Sequence, residues 1–169
     1  MNVLDAIFTR RSIRGFTGES ISEEQLTTIL KAGLQAPSAH NRQPREYIVL
    51  RDKDIIEKIP EFHPYTKMLP KAGCGIVVCG NKEKQIETGF LALDSAASIQ
   101  NMLLAAHGLG LGAVWCGLYP IPELIESMSE LLGLPEHIIP ISMVVVGVKS
   151  KDSEPRDRYD ESNVHYDKW

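Results

Sequence analysis

Apolar residues recur at helical spacing from the start of the chain, where Leu4, Ile7 and Phe8 predict a short amphipathic helix ending near Arg10. Ser22 with Gln25 three residues later forms a capping box, opening a helix with Leu26, Ile29, Leu30, Gly33 and Leu34 on its inner side. Pro37 closes that helix, because proline disfavours helical geometry in the residue before it. Glu46 to Arg51 is strand-like, and Asp52 is placed to cap a short helix through Ile59. The continuous apolar run Gly75 to Gly80 predicts a strand covered on both faces.

Leu91, Ala92, Ser95, Ala96, Ile99, Met102, Leu103 and Ala106 mark a long helix, and the low charge from Thr88 through Ala106 predicts burial nearly all round. Ala113 to Leu118 is a further short apolar segment, Pro122 to Leu132 another helix, and Ile139 to Val148 a final strand. Some five strands with helices between them fit an α+β layered sandwich as well as a wound sheet. The 169 residues are read as a single domain, residues 1–169, with an extended arm over 149–169. That arm is polar yet carries Tyr159, Val164, Tyr166 and Trp169, more large anchors than a disordered tail holds. It is expected to dock on a surface, either its own or that of a second subunit.

Bulk properties narrow the function. A formal charge of −4 gives no global attraction to nucleic acid or to an anionic membrane, so neither is expected as a partner. Cys74, Cys79 and Cys116 are odd in number and form no CxxC pair, which argues against a disulfide scaffold or a zinc site. No charged leader precedes an apolar core at the N-terminus, and Ile138 to Val148 is too short to span a bilayer, so a cytoplasmic location is expected.

Two segments carry chemistry. In Arg10, Ser12 and Arg14, two cations and a hydroxyl alternate with Arg11 and Ile13; on an extended chain they share a face suited to a phosphate with a polyol behind it. A solvated basic turn is the competing reading. The loop from Pro37 to Pro44 puts Ser38, Asn41 and Gln43 within eight residues, a hydroxyl and two amides able to meet the edge of a pyrimidine-like ring. The glycines of His107 to Gly112 follow a helix and read as its exit, leading into Ala113 to Gly117, where Trp115 and Gly117 bracket backbone that a planar ligand could approach. The five histidines show no metal spacing and no nucleophile elbow or phosphate loop is present, so no metal is expected and an organic cofactor is.

Five segments resemble the nitroreductase family of flavoproteins and occur in its order. They are Arg10 to Phe16, Gln35 to Pro44, Gly110 to Gly117, Ile139 to Met143 and Arg158 to Trp169. The resemblance implies an α+β fold, a layered α/β sandwich around a central mixed sheet, and a homodimer with FMN at the interface and the C-terminal arm exchanged with the partner subunit. By position, Arg10, Arg11, Ser12 and Arg14 would hold the phosphate and ribityl chain, completed by Arg156 or Arg158. Pro37, Ser38, Ala39 and Asn41 would contact the flavin, with part of that loop supplied by the partner. Val114, Trp115, Cys116 and Gly117 would lie along the isoalloxazine, with a backbone N–H near Cys116 bonding flavin N5; Lys67 is a candidate for the N1/C2=O edge. Larger relatives place a carboxylate where Cys116 stands, which leaves the backbone role at that position.

The implied activity is ping-pong hydride transfer from NADH or NADPH through flavin N5 to nitroaromatic, quinone or similar acceptors, with no side chain acting as acid or base. Specialised family chemistry (dehalogenation, ene reduction, flavin fragmentation), a non-catalytic FMN-binding redox sensor and a flavin-free structural dimer are the alternatives.

Overall fold

The computed structural model describes all residues, 1–169. Four strands form one sheet: β1 (Arg45–Leu50), β2 (Cys74–Asn81), β3 (Gly112–Gly117) and β4 (Ile138–Gly147), in the order β1-β2-β4-β3. All three pairings are antiparallel. The parallel component expected of the sheet is confined to a single bridge between Ser12 and Ala113, beyond the four named strands. The count falls one short of five because every remaining extended stretch lacks a second ladder bond.

Helices cover both faces. Ile76, Val78, Val144 and Val146 pack with Leu26, Ile29, Ile99 and Met102 from α2 (Glu23–Leu34) and α5 (Thr88–Gly108). Val77, Cys79, Val114, Cys116, Met143 and Val145 face the other way. They meet α3 (Lys53–Phe62), α4 (Leu69–Ala72) and α6 (Pro122–Leu132). Alternate residues of one strand therefore enter opposite cores, which is why the runs in β2 and β4 are apolar throughout. Gly33 lets α2 approach α5 closely, since a Cβ there would lie 2.8 Å from the Tyr47 hydroxyl and collide with Met102.

The capping box at Ser22 and Gln25 forms as expected, and Asp52 caps α3. That helix runs past the expected end at Ile59, because Pro60 sits in its last turn and the His63 N–H still reaches the Ile59 carbonyl at 3.0 Å. Two expectations of burial fail. Helix α1 (Val3–Thr9) has the expected period, yet Leu4, Ile7 and Phe8 are exposed and only Ala6 is buried. Helix α5 buries Leu91, Ser95, Ile99 and Met102 against the sheet but leaves Phe90 and Leu93 in the open, Leu93 at 67% exposure. Leu34, expected inside α2, is also exposed. These apolar faces have no counterpart within the chain.

Candidate functional site

Strand β3 lies at the edge of the sheet. In an antiparallel ladder the N–H and C=O of one residue point the same way and those of the next point the other way. The Ile13 N–H donates to the Ala113 carbonyl at 2.9 Å from outside, while the Leu118 N–H donates inward to Ile141 at 3.1 Å. With β3 and β4 in continuous register, Trp115 and Gly117 thus present their amides to the open edge, and the Cys116 amide faces β4. The free donors on either side of Cys116 are the N–H groups of Trp115 and Gly117.

The Cys116 side chain is buried, with its thiol 3.6 Å from the Tyr65 carbonyl. Burial pushes its pKa up to about 11 against the pull of Arg14, so it is a neutral thiol rather than a nucleophile. His63, also buried, bonds the neighbouring carbonyl: its Nε2 lies 2.9 Å from the Gly117 oxygen. Trp115 is pinned through its indole N–H, which donates to the Ser142 hydroxyl.

Ile13 enters the core, which turns its neighbours Ser12 and Arg14 outward. They line a cavity of about 500 Å³ with Arg11, Lys151, Arg156 and Arg158, where five cations face only Asp152 and Glu154. Arg10 lies in an adjoining cavity of about 540 Å³ with Ile7, Phe8 and Tyr159, and Arg11, Arg156 and Arg158 border both. The buried Arg10 Nε has no partner. Burial, then the charges of Arg11 and Arg158, lower the Arg10 pKa. Arg11 is otherwise engaged: its guanidinium donates to the carbonyls of Arg10, Glu154 and Arg156, the last at 2.9 Å. It clamps the start of the C-terminal arm, whereas Ser12 and Arg14 open on the first cavity and Arg10 on the second.

The loop after α2 is built differently. Ala39–Asn41 forms a 3-10 turn, and His40, Asn41 and Gln43 all have left-handed backbones, with φ of 52°, 53° and 47°. Such residues cost on the order of 1 kcal/mol each and persist where neighbours fix them. The Gln43 N–H donates to the Ser38 hydroxyl at 2.9 Å, and the Gln43 side-chain amide donates to Asn41 Oδ1 at 3.0 Å. The Arg45 guanidinium donates to the Pro37 carbonyl at 2.8 Å, and Asp94 Oδ1 accepts the Ala39 N–H at 2.9 Å.

One chain does not bring all the expected residues together. The loop precedes β1, at the opposite edge of the sheet from β3. Asp94, beside the loop, and His107, hydrogen-bonded to Thr9 next to Arg10, are thirteen residues apart on α5, about 20 Å. Arg10, Ser12, Arg14 and the β3 edge lie together in one region; Pro37, Ser38, Ala39 and Asn41 lie together in another. Lys67 is exposed in the turn before α4 and borders neither basic cavity, although Tyr65 in that turn touches Cys116.

His63, Asp94 and Arg45 were missed in sequence. His63 and Arg45 leave no trace there, their partners being backbone atoms set by the fold. Asp94 does leave one, as the single charge between Thr88 and Ala106.

A profile described as the nitroreductase family matches residues 7–63 and 61–148. A protein of Methanothermobacter thermautotrophicus, provisionally named an NADH dehydrogenase/NAD(P)H nitroreductase, is 42% identical over all of this chain and 88% of its own length. A Parabacteroides distasonis crystal structure under the same provisional name superposes with a TM-score of 0.96 at 35% identity, covering 100% of both chains. A provisionally named nitroreductase from Desulfovibrio desulfuricans, solved in complex with FMN, superposes with a TM-score of 0.85 at 30% identity, covering 100% of this chain and 98% of its own.

Proposed function

The chain belongs to the nitroreductase family, and on that premise we propose that it is an FMN-dependent oxidoreductase using NADH or NADPH. The observation that carries this is the basic cavity behind Ser12, set against the open edge of β3. Its residues fit FMN. A dianionic phosphate would offset the cations that crowd Arg10 and give its unpartnered Nε an acceptor. Ser12 and Arg14 would hold the phosphate and ribityl chain with Arg10, and Arg156 or Arg158 would close over them.

When bound, FMN supplies the redox chemistry: hydride arrives from reduced nicotinamide at N5 and leaves to a nitroaromatic, quinone or similar acceptor in a ping-pong cycle. The chain's own work is positional. An N–H on the open edge of β3, that of Gly117 at its exposed end or of Trp115, would donate to flavin N5, preorganised so that no reorientation accompanies the reaction. The rigid Trp115 indole lines the approach. With Cys116 a neutral buried thiol, no acid or base is required of the strand.

We place the working site between two copies of this chain. The two groups of residues lie at opposite edges of the sheet, about 20 Å apart along α5, and the Pro37 to Asn41 loop of a second copy would complete each site. The exposed Leu4, Ile7, Phe8, Phe90 and Leu93, with Tyr159, Tyr166 and Trp169 of the arm, supply apolar surface for a homodimer. Three reduced, buried cysteines suit the cytoplasm, and no helix is long and apolar enough to cross a membrane.

The test is an absorbance spectrum of the purified protein followed by anaerobic NADH or NADPH. Flavin bands that bleach promptly support the enzyme. Bands that persist indicate a flavin-binding sensor, and a protein that takes up no added FMN overturns the assignment. Parallel steady-state lines with varied nicotinamide and acceptor are expected of the ping-pong cycle.

A further inference from the structure

The loop from Pro37 to Gln43 holds a strained shape that its own residues do not fully fix. Three left-handed residues with side chains fall within four positions. Two of the restraints are local: the Ser38 hydroxyl under the Gln43 N–H, and Arg45 at the start of β1 under the Pro37 carbonyl. Two tethers come from elsewhere in the fold: Arg42 donates to Gln85 Oε1 at 3.0 Å, and Asp94 of α5 receives the Ala39 N–H, the first amide of the turn.

Asp94 is an odd residue for its position. It is the only charge between Thr88 and Ala106, it is 6% exposed, and its second oxygen, Oδ2, is buried without a partner. A carboxylate in such surroundings is costly unless it is hydrogen-bonded. Ala or Ser would pack on the same helix face more cheaply. The charge strengthens one bond, the one to Ala39. Arg45, the buried cation of the neighbourhood, forms no ion pair with it; its terminal nitrogens donate to the Pro37 and Leu34 carbonyls and its buried Nε has no partner.

We propose that Asp94 is a positioning residue for the cofactor. By anchoring the Ala39 amide to α5 it sets the turn so that Ser38 and Asn41 present their polar atoms to a flavin held largely by the other subunit. The proposal rests on the FMN reading above. On this account Asp94 touches no reacting atom, and removing it weakens FMN binding while leaving the fold standing on the two apolar cores.

Asp94→Ala, Asp94→Asn and wild type would be compared by FMN titration and by hydrogen exchange of the loop amides without FMN. Loss of Asp94 is expected to raise the FMN dissociation constant by about tenfold, the usual effect of deleting one hydrogen bond to a charged group. Asn keeps an acceptor for the Ala39 N–H, so Asp94→Asn should stay within about threefold of wild type. In apo protein the Ala39 amide should be protected in wild type and Asp94→Asn and exchange freely in Asp94→Ala. Ala39→Pro removes the donor at the first position of the turn, where proline is tolerated. It should cost as much as Asp94→Ala, and the double variant no more than either.

Unchanged FMN affinity in Asp94→Ala, equal losses in Asp94→Ala and Asp94→Asn, or additive losses in the double variant would each overturn the role. Should Asp94→Ala not fold, Ala39→Pro against Asp94→Asn gives the same comparison. A wild type that binds no FMN would overturn the functional assignment instead, and amide exchange would still decide whether Asp94 sets the turn.

Discussion

His63 Nε2 lies 2.9 Å from the carbonyl oxygen of Gly117, joining the end of α3 to the exposed end of β3. The Tyr65 N–H donates to Nδ1 of the same ring at 3.3 Å, so Nδ1 carries no proton and Nε2–H is the donor to Gly117. The ring is therefore a neutral strut with a fixed tautomer. His63→Ala removes a buried side chain and two hydrogen bonds and is expected to destabilise the fold by about 3 kcal/mol in urea unfolding. Nitrogen chemical shifts of the wild-type ring should report a proton on Nε2 and none on Nδ1.

Two glycines in paired strands should respond in opposite ways. A Cβ on Gly147 would collide with the Ala72 carbonyl, backbone that cannot swing aside, whereas one on Gly117 meets nothing within 4 Å. Gly147→Ala is expected to cost about 2–3 kcal/mol. Gly117→Ala should leave stability within about 0.5 kcal/mol yet weaken FMN binding, because its methyl projects beside the open amide. Urea midpoints and FMN titrations on both variants separate the two effects.

Buried thiols set the alkaline limit of stability. Burial raises Cys74 and Cys116 to about 11 and Cys79 to about 12. The unfolded chain releases these protons near the ordinary thiol pKa of 9.0 while the native protein keeps them. Their contribution is thus complete below pH 9 and lost as pH rises through 11 to 12, at up to about 1.4 kcal/mol per thiol per pH unit. Unfolding midpoints should fall above about pH 9, and iodoacetamide at neutral pH should label no cysteine until denaturant is added. A variant carrying Cys79→Ala should show a shallower alkaline decline.

The arm offers a test of assembly. Arg11 holds its beginning at Glu154 and Arg156, but Tyr159, Tyr166 and Trp169 stand clear of the chain's own surface. Removing residues after Ser150 should leave the two cores folded by circular dichroism and abolish both dimerisation and FMN retention in light scattering and absorbance. Leu93→Glu, on the open side of α5, should give a monomer that no longer retains FMN. A monomeric Leu93→Glu protein that still retains FMN would refute the composite site.

The sequence was most legible where local chemistry decides structure. The Ser22–Gln25 box, the Asp52 cap and the Pro122 to Leu132 helix stand where the pattern puts them. It misled where periodicity says that a face is apolar but not what covers it, as for Leu4, Phe8 and Leu93. Ser12 and Arg14 turn outward about the core residue Ile13 as alternation expects, but the shared face expected to include Arg10 does not form: Arg10, at the end of α1, lines a separate cavity while Arg11 borders both. The capture of Arg11 by arm carbonyls was not legible, nor was which of the amides around Cys116 face the open edge. Both depend on contacts between segments far apart in the chain, which spacing does not encode.

The Trp115–Ser142 bond makes the protein a built-in optical gauge. The chain has two tryptophans, one fixed by that bond on the sheet edge and the other, Trp169, at the free end of the arm. Energy transfer to a flavin would darken the first, while docking of the arm on a second copy would shift the emission of the other toward the blue. In Trp115→Phe and Trp169→Phe the two signals separate, so loading and assembly can be timed independently in one cuvette without any added dye.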